Sequence, residues 1–587
     1  MGLRLLILAT LALGCARSGR EAPPVVPDPY APVPPVSVPA PTAKINLDSL
    51  LDSLSLDEKV GQVLMPWLSG AYAALDAEGF LRAAAWVDSF AVGGIVVSVG
   101  SPLDVAAKLN ALQERSRLPL LIAADLEWGA GMRLQGATAF PMVMAIGATG
   151  RELDAYELGR VTALEARAVG IHLTFSPVSD VNNNPANPII NTRSFGEDPR
   201  AVATLVAAYI KGASEHGLYT TAKHFPGHGD TDIDSHLSLP AVAGCWERLD
   251  TLELIPFRAA MEAGVTAIMT AHVAYRCDST ETLPATLSGA VTSGILRDSL
   301  GFQGVAVTDA LTMGAVVERF GPGESAVRAF LAGNDILLMP SDLGTAFRAM
   351  VAAVRNGRIP EDRLNRSVRK ILQLKLDAGL FERRTVSLDR IPHVVGRSEF
   401  QQIADDIAQR ALTLIQEGEM RSFRSARGRW AVITYAEETN LTIGNVLVEE
   451  LRRRGDTVAT FRLYPPSGPL SYDSARTLIS GYPRVMFATS VRPIAWRGHI
   501  ALPDSLAALI LATAEVKPTL LVSLGSPYLL RQLPGYRGAY LLAWSDVPAT
   551  ERAVAVAVTG GAPIRGRTPV TLSPSIPRGF GIELPLP

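Results

Sequence analysis

Cysteine is nearly absent. The 587 residues include only Cys15, Cys245 and Cys277, which excludes a disulfide-built scaffold and leaves no paired cysteine ligands. Cys245 and Cys277 could pair in an oxidising compartment, and two residues leave that open. No His-Glu-x-x-His helix motif occurs either, which removes a common zinc signature. An excess of charge is also lacking: 55 basic residues face 57 acidic ones, with no long run of one sign. That argues against nucleic acid as the main partner. The Arg-rich patch Arg421 to Arg429 is the exception, and a solvated segment between domains accounts for it. No internal repeat or low-complexity tract follows the first 44 residues.

The N-terminus is distinctive. Met1 to Arg4 precede an apolar run from Leu5 to Leu13 and then Gly14-Cys15. A charged start, a short apolar core and a small residue before a cut describe a secretory signal and are too short for a membrane span. With cysteine at the cut, the segment resembles a bacterial lipoprotein signal, departing from it at Ala12 where leucine is usual. Residues 1–15 are therefore expected to be a lipoprotein-type signal, with lipidated Cys15 anchoring an exported protein to a bacterial membrane, on the periplasmic or cell-surface side. Residues 16–44 form a Pro-rich tether: residues 21–42 hold nine prolines and almost no bulky side chains, a composition that stays extended.

What remains is too long for one ordinary core. Between residues 60 and 340, short apolar runs alternate with helical periodicity: Val60 to Met65, Gly94 to Ser98, Leu120 to Asp125, His172 to Val178, Tyr219 to Lys223, Ala267 to His272, Val305 to Asp309 and Asp335 to Met339. Eight such units predict an α/β fold with an N-terminal (β/α)8 TIM-like barrel over 45–340. A helical connector over 341–400 leads to a smaller α/β sandwich domain over 401–587, where the rhythm resumes with runs such as Trp430 to Tyr435 and Leu520 to Leu524. Asp125, Asp180, Lys223, His224, His272 and Asp309 sit at or just past strand ends, which in a barrel converge on one face.

Two segments carry the chemistry. Lys223 to His236, Lys-His-Phe-Pro-Gly-His-Gly-Asp-Thr-Asp-Ile-Asp-Ser-His, places three histidines, three aspartates and a lysine on a loop leaving a buried strand. Loop residues of a turn, or ligands of a metal, are the competing readings. Gly301 to Asp309 ends an apolar strand on a lone aspartate. Burying an unpaired carboxylate is costly, so Asp309 is either a helix N-cap or a nucleophile on a rigid strand end.

These two segments, together with Asn191 to Pro199 and Asp125-Leu126-Glu127, resemble glycoside hydrolase family 3. The Asp234-Ser235-His236 ending places the resemblance in its β-N-acetylhexosaminidase branch. The resemblance implies a retaining exo-β-N-acetylglucosaminidase in which Asp309 forms a covalent glycosyl-enzyme, His236 is the acid and then the base, and Asp234 holds its ring. It implies sugar contacts from Asp125, Arg133, Arg193, Lys223 and His224, no metal and no organic cofactor. The partner would be an N-acetylglucosamine-containing glycan, peptidoglycan fragments included. One departure stands out: the family's Glu-Gly-Gly-Arg is here Glu127-Trp128-Gly129-Ala130, so an arginine is missing and Trp128 either stacks on sugar or packs beside the mouth. His272 either lines the pocket floor or is a bonded core histidine. The rival readings are a family 3 β-glucosidase, an N-acetylglucosaminide phosphorylase and, from another class, a glycan-binding lipoprotein without turnover.

Overall fold

A computed structural model of the chain describes residues 45–243, 246–276, 283–498 and 500–587, all within the compact unit Val38–Pro587. Cys15, the tether, and the Cys245 and Cys277 pair lie outside the described residues.

Seven parallel strands run in sequence order across one sheet: Trp67–Leu68, Gly94–Val97, Leu121–Ala124, Leu173–Thr174, Tyr219–Phe225, Ala267–Thr270 and Val305–Thr308. Leu64–Met65 pairs with Leu337–Leu338, and Val307 bridges to Ile336. The eighth strand therefore joins the last strand to the first and closes the ring. Pro66 interrupts the first strand, because it has no N–H to give the ladder. The strand interiors are aliphatic and buried, as expected for parallel strands covered on both sides.

Helices follow the strands and have local reasons to start where they do. Ser101 caps Pro102–Arg115 and Asp198 caps Pro199–Ser214, each with proline in the first turn, where its missing N–H costs nothing. The expected first strand, Val60 to Met65, is shortened for the same kind of reason. Ser55 and Glu58 form a reciprocal capping box that winds Leu56–Gln62 into a helix, so only Leu64 and Met65 are left extended. Helix Leu343–Arg355, inside the stretch read as connector, follows the eighth strand and packs on Gly314–Ala332.

The second sheet has the order Thr413–Gln416, Ala539–Leu542, Thr519–Ser523, Arg484–Thr489, Arg429–Tyr435, Thr457–Leu463. All neighbours are parallel except the first pair. Its core includes fully buried Trp544 and Tyr540 and continues into barrel residues Met144, Ala145 and Ala148. The two domains thus share apolar packing, and the loops at the C-terminal ends of the second sheet reach the barrel mouth.

Candidate active site

The barrel mouth holds a cavity of about 340 Å³. Its floor is an interlocked set of charges. Lys223 Nζ donates to Asp125 Oδ1 and lies equally close, 2.8 Å, to Glu127 Oε1. Glu127 also accepts two hydrogen bonds from Arg193, at 2.9 and 2.7 Å, and Arg133 reaches Asp125 at 3.4 Å. Burial alone would neutralise these groups. It is overcome at Glu127 by Arg193 and Lys223, and at Asp125 by Lys223 and Arg133, so both carboxyls stay below the usual range. Lys223 is held above its usual value despite burial, by Asp125 and Glu127.

Lys223 and His224 are consecutive, yet both line the cavity. The register with Ala267–Thr270 slips between Lys223 and Phe225, and a bulge of this kind re-aims side chains that would otherwise alternate. Buried Asp180 orients His224 by accepting its Nδ1–H at 2.7 Å. A carboxylate only accepts, so the proton sits on Nδ1 and Nε2 is left facing Arg193 Nη2 at 3.4 Å. Asp180 Oδ1 also accepts the His228 N–H at 2.7 Å, which ties the motif loop to the segment that follows the fourth strand. Gly229 completes that contact, since a Cβ there would collide with the Val181 carbonyl oxygen. His228 bridges Thr231 and Ser235, and burial, followed by the nearby His224, lowers it to about 4.

Asp309 stands at the end of its strand, with its N–H on Thr270 O at 3.0 Å. It is not an N-cap: the following helix starts at Gly314 after Met313, and Asp309 Oδ1 accepts from the adjacent Ala310 N–H, at 2.7 Å. Burial opposes its charge, but His272, His224 and that N–H outweigh burial and bring it to about 2. His236 lines the same cavity. Its Nδ1 and backbone N–H both donate to Asp234 Oδ1, at 2.8 and 2.9 Å. Asp234 Oδ2 accepts from the backbone of Trp496, at 2.9 Å.

Asp125, Arg133, Arg193, Lys223, His224, His236 and Asp309 all line this cavity, and Asp234 lies behind His236. His272 resolves to the core reading: it is fully buried and bonded to Thr286 and to the Ala310 carbonyl, so it steadies the peptide that follows Asp309. Trp128 is half-buried and lines the cavity. Residue-level reading missed the roles of Glu127 and His228, and all of Arg492, Pro493, Ala495 and Trp496. The last four follow the strand Arg484–Thr489, and the only available signal was the general rule that ligands meet α/β sheets at carboxyl strand ends.

Comparison with known proteins adds a consistent picture. The glycosyl hydrolase family 3 N terminal domain matches residues 55–374. The β-N-acetylglucosaminidase/β-glucosidase of Cellulomonas fimi is 30% identical over 502 residues, covering 82% of this chain and 88% of that protein. Beta-hexosaminidase A of Pseudoalteromonas piscicida is 33% identical over 363 residues, 56% of this chain and 60% of that one. The solved structure of a glycoside hydrolase family 3 β-N-acetylglucosaminidase from Paenibacillus sp. str. FPU-7 superposes with a TM-score of 0.81 at 34% identity, covering 89% of this chain and 99% of that one.

Proposed function

The chain belongs to glycosyl hydrolase family 3, and from that premise we propose that it is a retaining exo-β-N-acetylglucosaminidase acting on terminal non-reducing N-acetyl-β-D-hexosamine residues. One observation carries the reading: a single cavity pairs an ionised strand-end carboxylate, Asp309, with an imidazole whose Nδ1–H is tied to a carboxylate. The relatives named for N-acetylglucosaminidase activity support the choice of sugar.

In the first step an Asp309 oxygen attacks the anomeric carbon. As the bond to the aglycone oxygen breaks, that oxygen takes the proton from His236 Nε2. The imidazole then keeps its Nδ1–H on Asp234 and has a free Nε2 lone pair. In the second step Nε2 takes a proton from water, the water oxygen bonds to the anomeric carbon, and the Asp309 carboxylate leaves. This is the retaining two-step logic with an imidazole in place of the second carboxylate. Asp125, Arg133, Arg193, Lys223 and His224 would fix the sugar hydroxyls and the N-acetyl group, since charged donors and acceptors make the stronger hydrogen bonds. A cavity closed by this floor suits one terminal residue, and therefore exo action.

The Cellulomonas fimi relative is named for two activities, which makes β-glucosidase the second reading. A panel of 4-nitrophenyl N-acetyl-β-glucosaminide and β-glucoside, run with and without inorganic phosphate, separates them. We expect higher kcat/KM on the amino sugar and free N-acetylglucosamine as product. A glucoside preference would replace the reading, and a glycosyl phosphate product would make the enzyme a phosphorylase. The Gly14-Cys15 pattern supports export and a lipid anchor, and an enzyme so placed would meet N-acetylglucosamine-capped wall fragments. Mass spectrometry should find acylated Cys15 at the mature N-terminus; an unmodified Cys15 there rules the anchor out.

A further inference from the structure

Trp496 is unusual in both conformation and placement. Its φ of 72° lies in the left-handed region, which a bulky residue occupies only under strain. The residue is 55% exposed, so burial of its own ring does not offset that strain. Its surroundings hold the conformation instead. Ser490 Oγ and Arg492 Nε both reach Asp546 Oδ2, at 2.7 and 3.3 Å, and Arg497 pairs with Glu437 at 2.9 Å.

In this strained geometry Trp496 touches both members of the Asp234 and His236 pair. The Trp496 N–H donates to Asp234 Oδ2, and its ring centroid lies 5.2 Å from that of His236, tilted by 60°. Asp234 has a side chain only 1% exposed, leaving little room for water to replace a lost donor. His236 occupies only Oδ1. Without the Trp496 N–H, the carboxylate could turn about its Cβ–Cγ bond and carry the imidazole with it.

From these contacts we infer that Trp496 is a positioning residue for proton transfer, so that the second domain sets the acid–base geometry while the barrel alone builds the charged floor. The inference rests on the functional reading above. Its consequence is selective. Loss of Trp496 should slow reactions whose leaving group needs a proton, and should spare sugar binding and reactions whose leaving group departs unaided.

The test uses the full chain with Trp496→Gly, Trp496→Phe and Trp496→Pro. Glycine keeps the N–H and accepts φ of 72° without strain, so it removes only the ring. Proline cannot adopt that φ and has no N–H, so it removes both contacts. With N,N′-diacetylchitobiose, kcat should fall about 10-fold for glycine and about 10²-fold for proline, fractions of the roughly 10² to 10⁴ that positioned acid catalysis contributes. KM should change little. The glycosylation step with a 2,4-dinitrophenyl glycoside, read by single-turnover kinetics, should stay within about threefold of the parent, and phenylalanine should restore most of the disaccharide rate. Equal losses on both substrates, or parent-level disaccharide turnover in Trp496→Gly, overturn the inference; should the proline variant misfold, the glycine variant decides it. A parent enzyme that cleaves neither substrate would sink the functional reading instead.

Discussion

The two walls of the cavity are held in different ways. On the floor, Lys223 lies between Asp125 and Glu127, Glu127 is gripped by Arg193, and Arg133 reaches Asp125. Each carboxylate there has two cationic partners, on or next to barrel strands. On the other wall, Asp234 and His236 ride on an excursion with exposed Ile233 and Leu237, and the outer oxygen of Asp234 accepts a backbone N–H from the second domain. A site that must hold a ligand still is built from redundant charges. A site that must move a proton needs one imidazole at one angle, and a single well-placed donor is enough for that. The floor should therefore report on stability and binding, and the dyad on chemistry.

The sharpest break on the chemical side is Asp309→Ala. The covalent intermediate needs that carboxylate, so turnover should fall by roughly 10⁴ or more, with an unchanged circular dichroism spectrum. A folded variant working near the parent rate would remove Asp309 from the nucleophile role. Next comes His236→Ala, expected to slow disaccharide hydrolysis by roughly 10² to 10⁴. An activated aryl glycoside should show a burst of phenol before slow turnover, because the lost base still delays the second step. Asp234→Ala should follow the same pattern more weakly. Equal damage to the glycosylation of both leaving-group types would mean that His236 shapes the pocket and transfers no proton.

On the floor the expected loss is in stability. Lys223→Met removes the cation between Asp125 and Glu127, but Arg133 and Arg193 still face them. The cost should therefore be about 1.5–3 kcal/mol, the worth of hydrogen bonds to charged groups, below that of a buried charge left with no partner. Asp234→Ala, whose partner can turn toward the cavity, should cost clearly less by denaturant melt. If the two variants melt alike, the contrast between the walls is wrong.

How far the site could be read from the chain follows the same divide. Asp125, Lys223, His224 and Asp309 were legible because strand-end placement gives a polar residue few other reasons to be there, and the Asp234 to His236 spacing was legible from the family motif. The barrel was legible from alternating runs, except where the Ser55 and Glu58 box turned the start of an apolar run into helix. Trp496 was not legible. It lies 260 residues from His236 in the chain, its bond to Asp234 is through the backbone, and its side chain carries no titratable group. The sheet strand Thr413–Gln416 was missed as well, because it pairs antiparallel at an edge, outside the β/α rhythm. Local pattern reports what a residue can do, and these features depend on what folds against it.

The smallest expected effect concerns the support under the floor. Glu165 is fully buried and accepts from the Thr138 N–H and hydroxyl and from the Gly396 N–H, bracing the segment that follows Arg133. Burial raises its carboxyl to about 7, and those donors only partly oppose the rise. In the unfolded chain the same group titrates near its ordinary value of about 4.3. Between these values the folded protein keeps a proton that the unfolded chain has released. The contribution to stability is therefore complete below about pH 4 and is lost as pH rises through 7. Glu165→Gln, which cannot ionise, should flatten the decline between pH 4.5 and 7, by on the order of 1–3 kcal/mol. Asp309, held at about 2, has the opposite sign: its folded value lies below the unfolded one, so its contribution is present above about pH 4 and is lost only as pH falls through 2. Urea melts at half-unit steps of pH would separate the two groups. A Glu165→Gln protein whose melting midpoint still falls from pH 4.5 to 7 as the parent's does would show that another buried group governs that window.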